Sequence, residues 1–186
     1  GALDLTNMAD LTGINLTDMT ASAVVSNIPA TTTTVSQVAN GGAAGASASA
    51  LNLQYASGGD ATVTLNNRGA NLAAGTGVVN AATTVNNISN LTVTSQNGTA
   101  TSATAAGNTS IFNLGSLNGG SVLETLNLNT TSQVGDTLLT GNLTGVNLET
   151  LTITADEGDL TVGTFGSANE LKTLAVTNLD ADSDGN

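Results

Sequence analysis

The stretch Leu148-Glu-Thr-Leu-Thr-Ile153 decides the reading, because the chain contains it more than once. Leu123-Glu-Thr-Leu-Asn-Leu128 and Leu171-Lys-Thr-Leu-Ala-Val176 follow the same six-residue pattern, with starts 25 and 23 residues apart. A weaker copy, Ile88-Ser-Asn-Leu-Thr-Val93, begins 35 residues before the first. Positions 1, 4 and 6 are apolar, and positions 4 and 6 alternate with a polar residue as a half-buried strand does. The spacing predicts strands near 88–93, 123–128, 148–153 and 171–176, stacked in parallel and in register. Leu126, Leu128, Leu151, Ile153, Leu174 and Val176 are expected to face inward.

The spacers between these blocks carry a second apolar segment: Ile111-Phe-Asn-Leu114, Thr137-Leu-Leu139 and Leu160-Thr-Val162, the last leading to Phe165. Gly115, Gly141 and Gly163 follow them, so a second short strand bounded by glycine turns is expected in each repeat. Leu11-Thr-Gly-Ile-Asn15 echoes Leu143-Thr-Gly-Val-Asn147 and ties the N-terminal part to the same repeat. A unit of roughly 24 residues with short strands cannot bury an apolar face alone, but stacked on its neighbours it can. The fold expected is all-β, a parallel β-solenoid (β-helix) of roughly 24-residue coils. A leucine-rich repeat would continue the pattern with Asn, where this chain has Thr131, Asp156 and Leu179.

Upstream the pattern is looser. Residues 1–40 read as an N-terminal β segment of the same kind, and 41–186 as the repeat region of a longer protein. Thr31 to Ser49 is low in complexity and reads as a loop or linker. Residues 51–56 and 61–66 alternate well and read as two strands joined by a turn at Gly58-Gly-Asp60.

Composition removes several classes of function. The chain of 186 residues has no His and no Cys, so Ser/His/Asp and Cys/His catalysis, zinc fingers and disulfide scaffolds are absent. Arg68 and Lys172 stand against 14 acids, for a net charge of −12, which repels nucleic acid and anionic membranes. No apolar run is long enough for a transmembrane helix. Leu, Ile, Val and Phe make up 44 residues, enough for a core of thin layers. Tyr55, Phe112 and Phe165 are the aromatic residues. A sugar hydrolase would need paired carboxylates in a cleft with aromatic platforms, so no enzyme is expected. Thr-x-Thr pairs at 62/64, 92/94 and 152/154 are interrupted by Asn127 and Ala175, so a regular ice-binding array is not expected.

Acidic turns are the sites of interest. Asp180-Ala-Asp182-Ser-Asp184-Gly185 places carboxylates at alternate positions before a glycine, the arrangement of a Ca²⁺ loop, in which hard oxygens converge on one cation at a sharp turn. Asp156-Glu-Gly-Asp159 is a second acidic turn, so Asp156 and Asp159 are further candidate calcium ligands. Glu149 and Lys172 share one repeat position and would sit as an exposed pair on neighbouring strands.

The run Asn142–Thr154 with its echoes resembles the β-strand repeat region of bacterial S-layer and related RTX-type secreted surface proteins, which are Thr/Ala/Gly/Asn-rich, acidic, poor in Lys and free of Cys. The resemblance implies a structural protein of the extracellular bacterial cell surface, secreted and assembled with Ca²⁺. Its implied partners are copies of itself in a two-dimensional lattice and a surface polysaccharide or lipopolysaccharide. The alternative it leaves open is a stalk or ligand-binding segment of a calcium-dependent RTX-type biofilm adhesin. The calcium nonapeptide G-G-x-G-x-D of that family does not occur here.

Overall fold

The computed structural model describes residues 1–17, 19, 21–38, 49–56, 62–68, 76–96, 110–130, 137–145, 147–155, 159–166 and 170–178. Among them there is no helix. The strands are β1 (Ala2–Asp4), β2 (Gly13–Thr17), β3 (Ala23–Ile28), β4 (Thr34–Val38), β5 (Ser49–Tyr55), β6 (Thr62–Arg68), β7 (Thr76–Asn86), β8 (Asn90–Gln96), β9 (Ser110–Asn113), β10 (Ser116–Asn118), β11 (Thr125–Thr130), β12 (Thr137–Thr140), β13 (Leu143–Thr144), β14 (Thr150–Ala155), β15 (Asp159–Val162) and β16 (Thr173–Asn178).

They form two sheets. One runs β1-β3-β5-β7-β9-β12-β15, with β10 and β13 beside it; the other runs β2-β4-β6-β8-β11-β14-β16. From β1 to β8 consecutive strands alternate between the sheets. Each sheet neighbour is therefore reached by crossing through the other sheet, and the pairings are parallel. Thr, Val and Ile favour strands over helices, while the abundant Gly and Asn supply corners. The buried apolar side chains form one continuous core between the sheets.

The repeat fixes the register. Leu91, Leu126, Leu151 and Leu174 pair in one column, and Val93, Leu128, Ile153 and Val176 in the next. The strands start two residues later than the sequence pattern predicts, because the first two positions of the repeat make a corner. Glu124 and Thr125 N–H groups both donate to the Ser89 carbonyl, at 2.8 and 2.9 Å. Glu149 and Thr150 do the same to Glu124 (2.8 and 3.0 Å), and Lys172 and Thr173 to Glu149 (2.9 and 3.0 Å). The first apolar residue of each repeat (Ile88, Leu123, Leu148) is buried beneath that corner.

Leu126, Leu128 and Leu151 are buried as expected, and Ile153 is half-buried. Leu174 and Val176 are not buried; they are 57% and 65% exposed. They keep the register of their columns, but β16 is the outer strand of its sheet among the described residues and no layer covers it.

Two further expectations are corrected. β5 and β6 do not pair with each other; they lie in different sheets, each between parallel neighbours. The β5 apolar row (Leu51, Leu53, Tyr55) is buried between its parallel neighbours, whereas a hairpin would have left both strands in one sheet. The turn expected at Gly58-Gly-Asp60 lies outside the described residues. The run from Thr31 is not all loop, since β4 begins at Thr34. Thr32 is fully buried, its hydroxyl donating to the Leu11 carbonyl at 2.7 Å, and Val35, Ser36 and Gln37 are buried behind it. A β-branched run with satisfied hydroxyls is a good strand, whatever its complexity.

The spacer strands β9, β12 and β15 stack in parallel as the second apolar segments predicted. β7 bends between its halves: residues 76–79 pair with β9, and residues 82–84 with β10. Ala81, Gly115, Gly141 and Gly163 stand in succession at this corner. Gly115 has φ +59°, and a Cβ there would lie 2.1 Å from the Ala81 carbonyl oxygen. The Gly141 N–H donates to the Gly115 carbonyl at 2.6 Å, and a Cβ at Gly115, Gly141 or Gly163 would meet the backbone of the preceding corner.

Leu151→Ala is expected to cost about 2–5 kcal/mol in denaturant unfolding, while Leu174→Ala in dilute monomer costs under about 0.5 kcal/mol. Gly115→Ala should cost about 1–3 kcal/mol or more through overpacking and left-handed backbone. Equal losses at Leu151 and Leu174 would contradict the layer order.

Candidate functional site

The expected calcium ligands Asp180, Asp182, Asp184 and Asp156 lie outside the described residues. Asp159 opens β15, its backbone paired with Thr137 of β12. Among the described residues no group of three or more carboxylates is gathered that could hold a metal ion.

The structure instead shows three polar features. The first is the corner column Glu124, Glu149 and Lys172, held by the backbone bonds described above. Lys172 Nζ lies 2.6 Å from Glu149 Oε1, with both side chains substantially exposed. The hydrogen bond to Glu149 raises the Lys172 amine above its ordinary value, helped by the Glu149 charge and then by Glu170 and Glu124. This is the exposed pair that the repeat positions predicted.

The second is the turn after β1. Asp4 Oδ1 accepts from the Thr6 hydroxyl (2.6 Å), the Thr6 N–H (3.0 Å) and Asn27 Nδ2 (2.8 Å). The Thr6 hydroxyl, then Asn27, then the Thr6 amide hold its carboxyl below the ordinary range. Asn27 sits at φ 55°, in a bulge of β3, where Asn is among the residues best tolerated. The local Asp-x-Thr pattern is the sequence signal for this turn.

The third is buried. Gln37 of β4 and Asn80 of β7 exchange amide hydrogen bonds across the core: Gln37 Nε2 donates to Asn80 Oδ1 (3.1 Å) and Asn80 Nδ2 donates to Gln37 Oε1 (2.9 Å). Asn80 also donates to the Thr83 hydroxyl, which donates to the Leu114 carbonyl at 2.9 Å. Tyr55 is buried, its hydroxyl donating to the Thr32 carbonyl at 3.0 Å, and burial raises its phenol above the usual range. These satisfied groups tie the two sheets together.

One paired column of the seven-stranded sheet passes through Gly13, Thr34, Thr64, Thr92, Asn127, Thr152 and Ala175. Asn127 Nδ2 donates to Thr92 Oγ1 at 3.3 Å. At the end beyond β14, Leu174, Val176 and Phe165 are exposed, Phe165 at 45%. Phe165 bridges Leu143 in parallel and lines a narrow apolar cleft with Leu117, Leu143 and Leu148.

No protein-family model, no curated protein and no solved structure matches the chain. No helix among the described residues is long and apolar enough to cross a membrane.

The Asp4 and Lys172 shifts link to stability. Asp4 has a folded pKa below its ordinary 3.8, so its contribution is present above that value and is lost as pH falls through the lower folded one. Lys172 has a folded pKa above 10.5, so its contribution is present below 10.5 and is lost as pH rises through the folded value. Melting curves should show Asp4→Asn less stable than wild type at pH 6, with the gap closing below pH 3.8. Lys172→Gln should differ from wild type at pH 8 and converge with it at strongly alkaline pH. Gaps that do not change with pH would contradict both assignments.

Proposed function

We propose that the chain is a length of parallel β-solenoid with coils of roughly 24 residues, serving as a structural segment of a bacterial surface protein of the S-layer kind and assembled with calcium. The observation that carries the solenoid reading is the unshifted parallel register from β8 through β11 and β14 to β16. Each repeat adds one strand to this sheet and returns through the other, which is how a coil closes. The wall-like role draws on the same feature. Successive coils are joined by backbone ladders, so the element is extended and stiff, and its acidic, Thr/Asn-rich exterior is suited to a solvated extracellular setting.

Calcium enters through the acidic segment after β16. With 14 acids and two basic residues, carboxylates repel one another with little internal compensation. A divalent cation shared by Asp180, Asp182 and Asp184 relieves that repulsion, and Asp156 with Asp159 offers a second acidic turn. Binding to the folded state alone adds RT ln(1 + [L]/Kd), about 2.7 kcal/mol at a hundredfold excess over Kd.

The test is a melting-temperature titration followed by electron microscopy. Millimolar Ca²⁺ should raise the melting temperature more than Mg²⁺ does, and the double variant Asp182→Asn, Asp184→Asn should lose most of the gain. The intact protein with Ca²⁺ should form ordered two-dimensional sheets. Equal stabilisation by Mg²⁺ would sink the calcium assignment. A calcium-stabilised protein that never forms sheets would favour the adhesin stalk.

A further inference from the structure

Three neighbouring columns of the seven-stranded sheet carry one kind of residue. Their alternate positions read Thr-x-Thr-x-Asn on β6 (62–66), Asn-x-Thr-x-Thr on β8 (90–94), Thr-x-Asn-x-Asn on β11 (125–129), Thr-x-Thr-x-Thr on β14 (150–154) and Thr-x-Ala-x-Thr on β16 (173–177), each paired in register with the next. Fourteen of these fifteen positions are Thr or Asn, although the two types make up only 55 of the 186 residues. None of the 14 acids and two basic residues falls among them. The spacer strands show no such uniformity: their paired positions set Ile111 with Thr137 and Asp159, and Val79 with Asn113 and Leu139.

On β8, β11 and β14 these positions alternate with the buried Leu91, Val93, Leu126, Leu128 and Leu151, so they stand on the sheet face away from the core. Each is half-buried, because an equivalent side chain flanks it on the next strand. The register is unshifted, so the array repeats at about 4.8 Å across the strands and about 6.6 Å along them. Branching at Cβ leaves Thr few side-chain rotamers, and Asn127 Nδ2 donates to Thr92 Oγ1 at 3.3 Å. Hydroxyl, amide and methyl groups therefore recur at fixed places. Read along the chain, Asn127 interrupts the Thr-x-Thr pairs; read across the sheet, it fills its place in a column and joins that column to Thr92.

Such a face selects a ligand by neutrality and period. An ionic mineral would be held by charges, and the array has none. A crystalline polysaccharide would be held by exposed aromatic rings, yet Tyr55 and Phe112 are buried and Phe165 is not in the array. A protein partner would need a large apolar or aromatic anchor, which Thr and Asn do not supply. A water lattice needs only donors and acceptors at regular intervals, with methyl groups between them to order the intervening waters. The strand spacing lies close to the shortest repeat of hexagonal ice. We infer that the Thr/Asn face of the seven-stranded sheet binds ice, its hydroxyl and amide columns holding waters that continue into the crystal. The inference goes beyond the structural role and rests on the in-register sheet. It does not depend on calcium or on two-dimensional sheets.

The test uses the 186-residue chain with ice itself as the probe. Partition into a slowly growing ice surface and inhibition of ice recrystallisation are measured, with circular dichroism at the assay temperature confirming β structure. Wild type should enter the ice and arrest recrystallisation. Thr152→Lys, at the centre of the face, should cut the ice-bound fraction about tenfold or more, and Thr94→Lys on β8 repeats the test at a second place. Thr84→Lys is the matched control: Thr84 is half-buried on the other sheet, between the buried Thr83 and Val85, and its variant should keep wild-type partition. A folded wild type excluded from ice overturns the inference. So does unchanged partition in folded Thr152→Lys and Thr94→Lys, or an equal loss in Thr84→Lys. Retention of wild type on chitin or cellulose with no partition into ice overturns it in favour of a polysaccharide ligand. Ice binding without calcium-driven sheets would leave the inference standing and tell against the lattice role; calcium-driven sheets without ice binding would do the reverse.

Discussion

Parallel, unshifted backbone pairing between successive repeats is the constraint on which the rest depends. Strands in a ladder lie about 4.8 Å apart, and equivalent residues face one another. Every position of the repeat thus becomes a column, and a side chain is acceptable only if its copies can sit at that spacing. Leu over Leu over Leu at 91, 126 and 151 meets the condition by burial. Glycine at 115, 141 and 163 meets it where two backbones nearly touch. Glu124 above Glu149 meets it poorly, and Lys172 in the next layer draws the Glu149 carboxylate to itself.

The same constraint accounts for how the core is built. With so few large residues, no centre of bulky side chains can form; Tyr55 and Phe112 are the aromatic rings that are buried. Volume is filled instead by layers of Leu, Val and Ile, one or two per strand. Two buried polar groups show how partners meet them: Gln37 pairs with Asn80 across the core, and Thr83 donates to the Leu114 carbonyl within its own sheet. A reciprocal amide pair is directional, and a shift of one residue in either strand would leave two amides buried without partners. It pins the alignment of the two sheets where apolar contacts alone would tolerate slippage.

Much of this was legible before any coordinates. The period of the six-residue pattern contains the columns, and the glycines after the spacer segments mark the corner. The true strand start was not legible, because whether Glu124 and Thr125 belong to a corner or a strand depends on both amides reaching one carbonyl of the preceding layer. Residues 51–56 and 61–66 could not be told from a hairpin, since alternation reports one buried face without saying which sheet covers it. Gln37 and Asn80 are 43 residues apart and nothing local announces their bond. Leu174 and Val176 follow the same apolar alternation as the buried Leu126 and Leu128, so nothing local marks their exposure. The acidic turns kept from sequence as calcium candidates stand mostly outside the described residues, so their chemistry still rests on spacing.

The central claim is that equivalent positions of successive repeats are direct neighbours. Spin labels at Asn127 and Thr152, outward-facing partners on β11 and β14, measure this most directly through dipolar broadening, because the chain has no cysteine to interfere. The account predicts strong broadening for this pair, with backbones about 5 Å apart, and weaker broadening for Thr92 with Thr152, two strands apart at about 10 Å. Narrow, uncoupled spectra for Asn127 with Thr152 in the folded chain would contradict it.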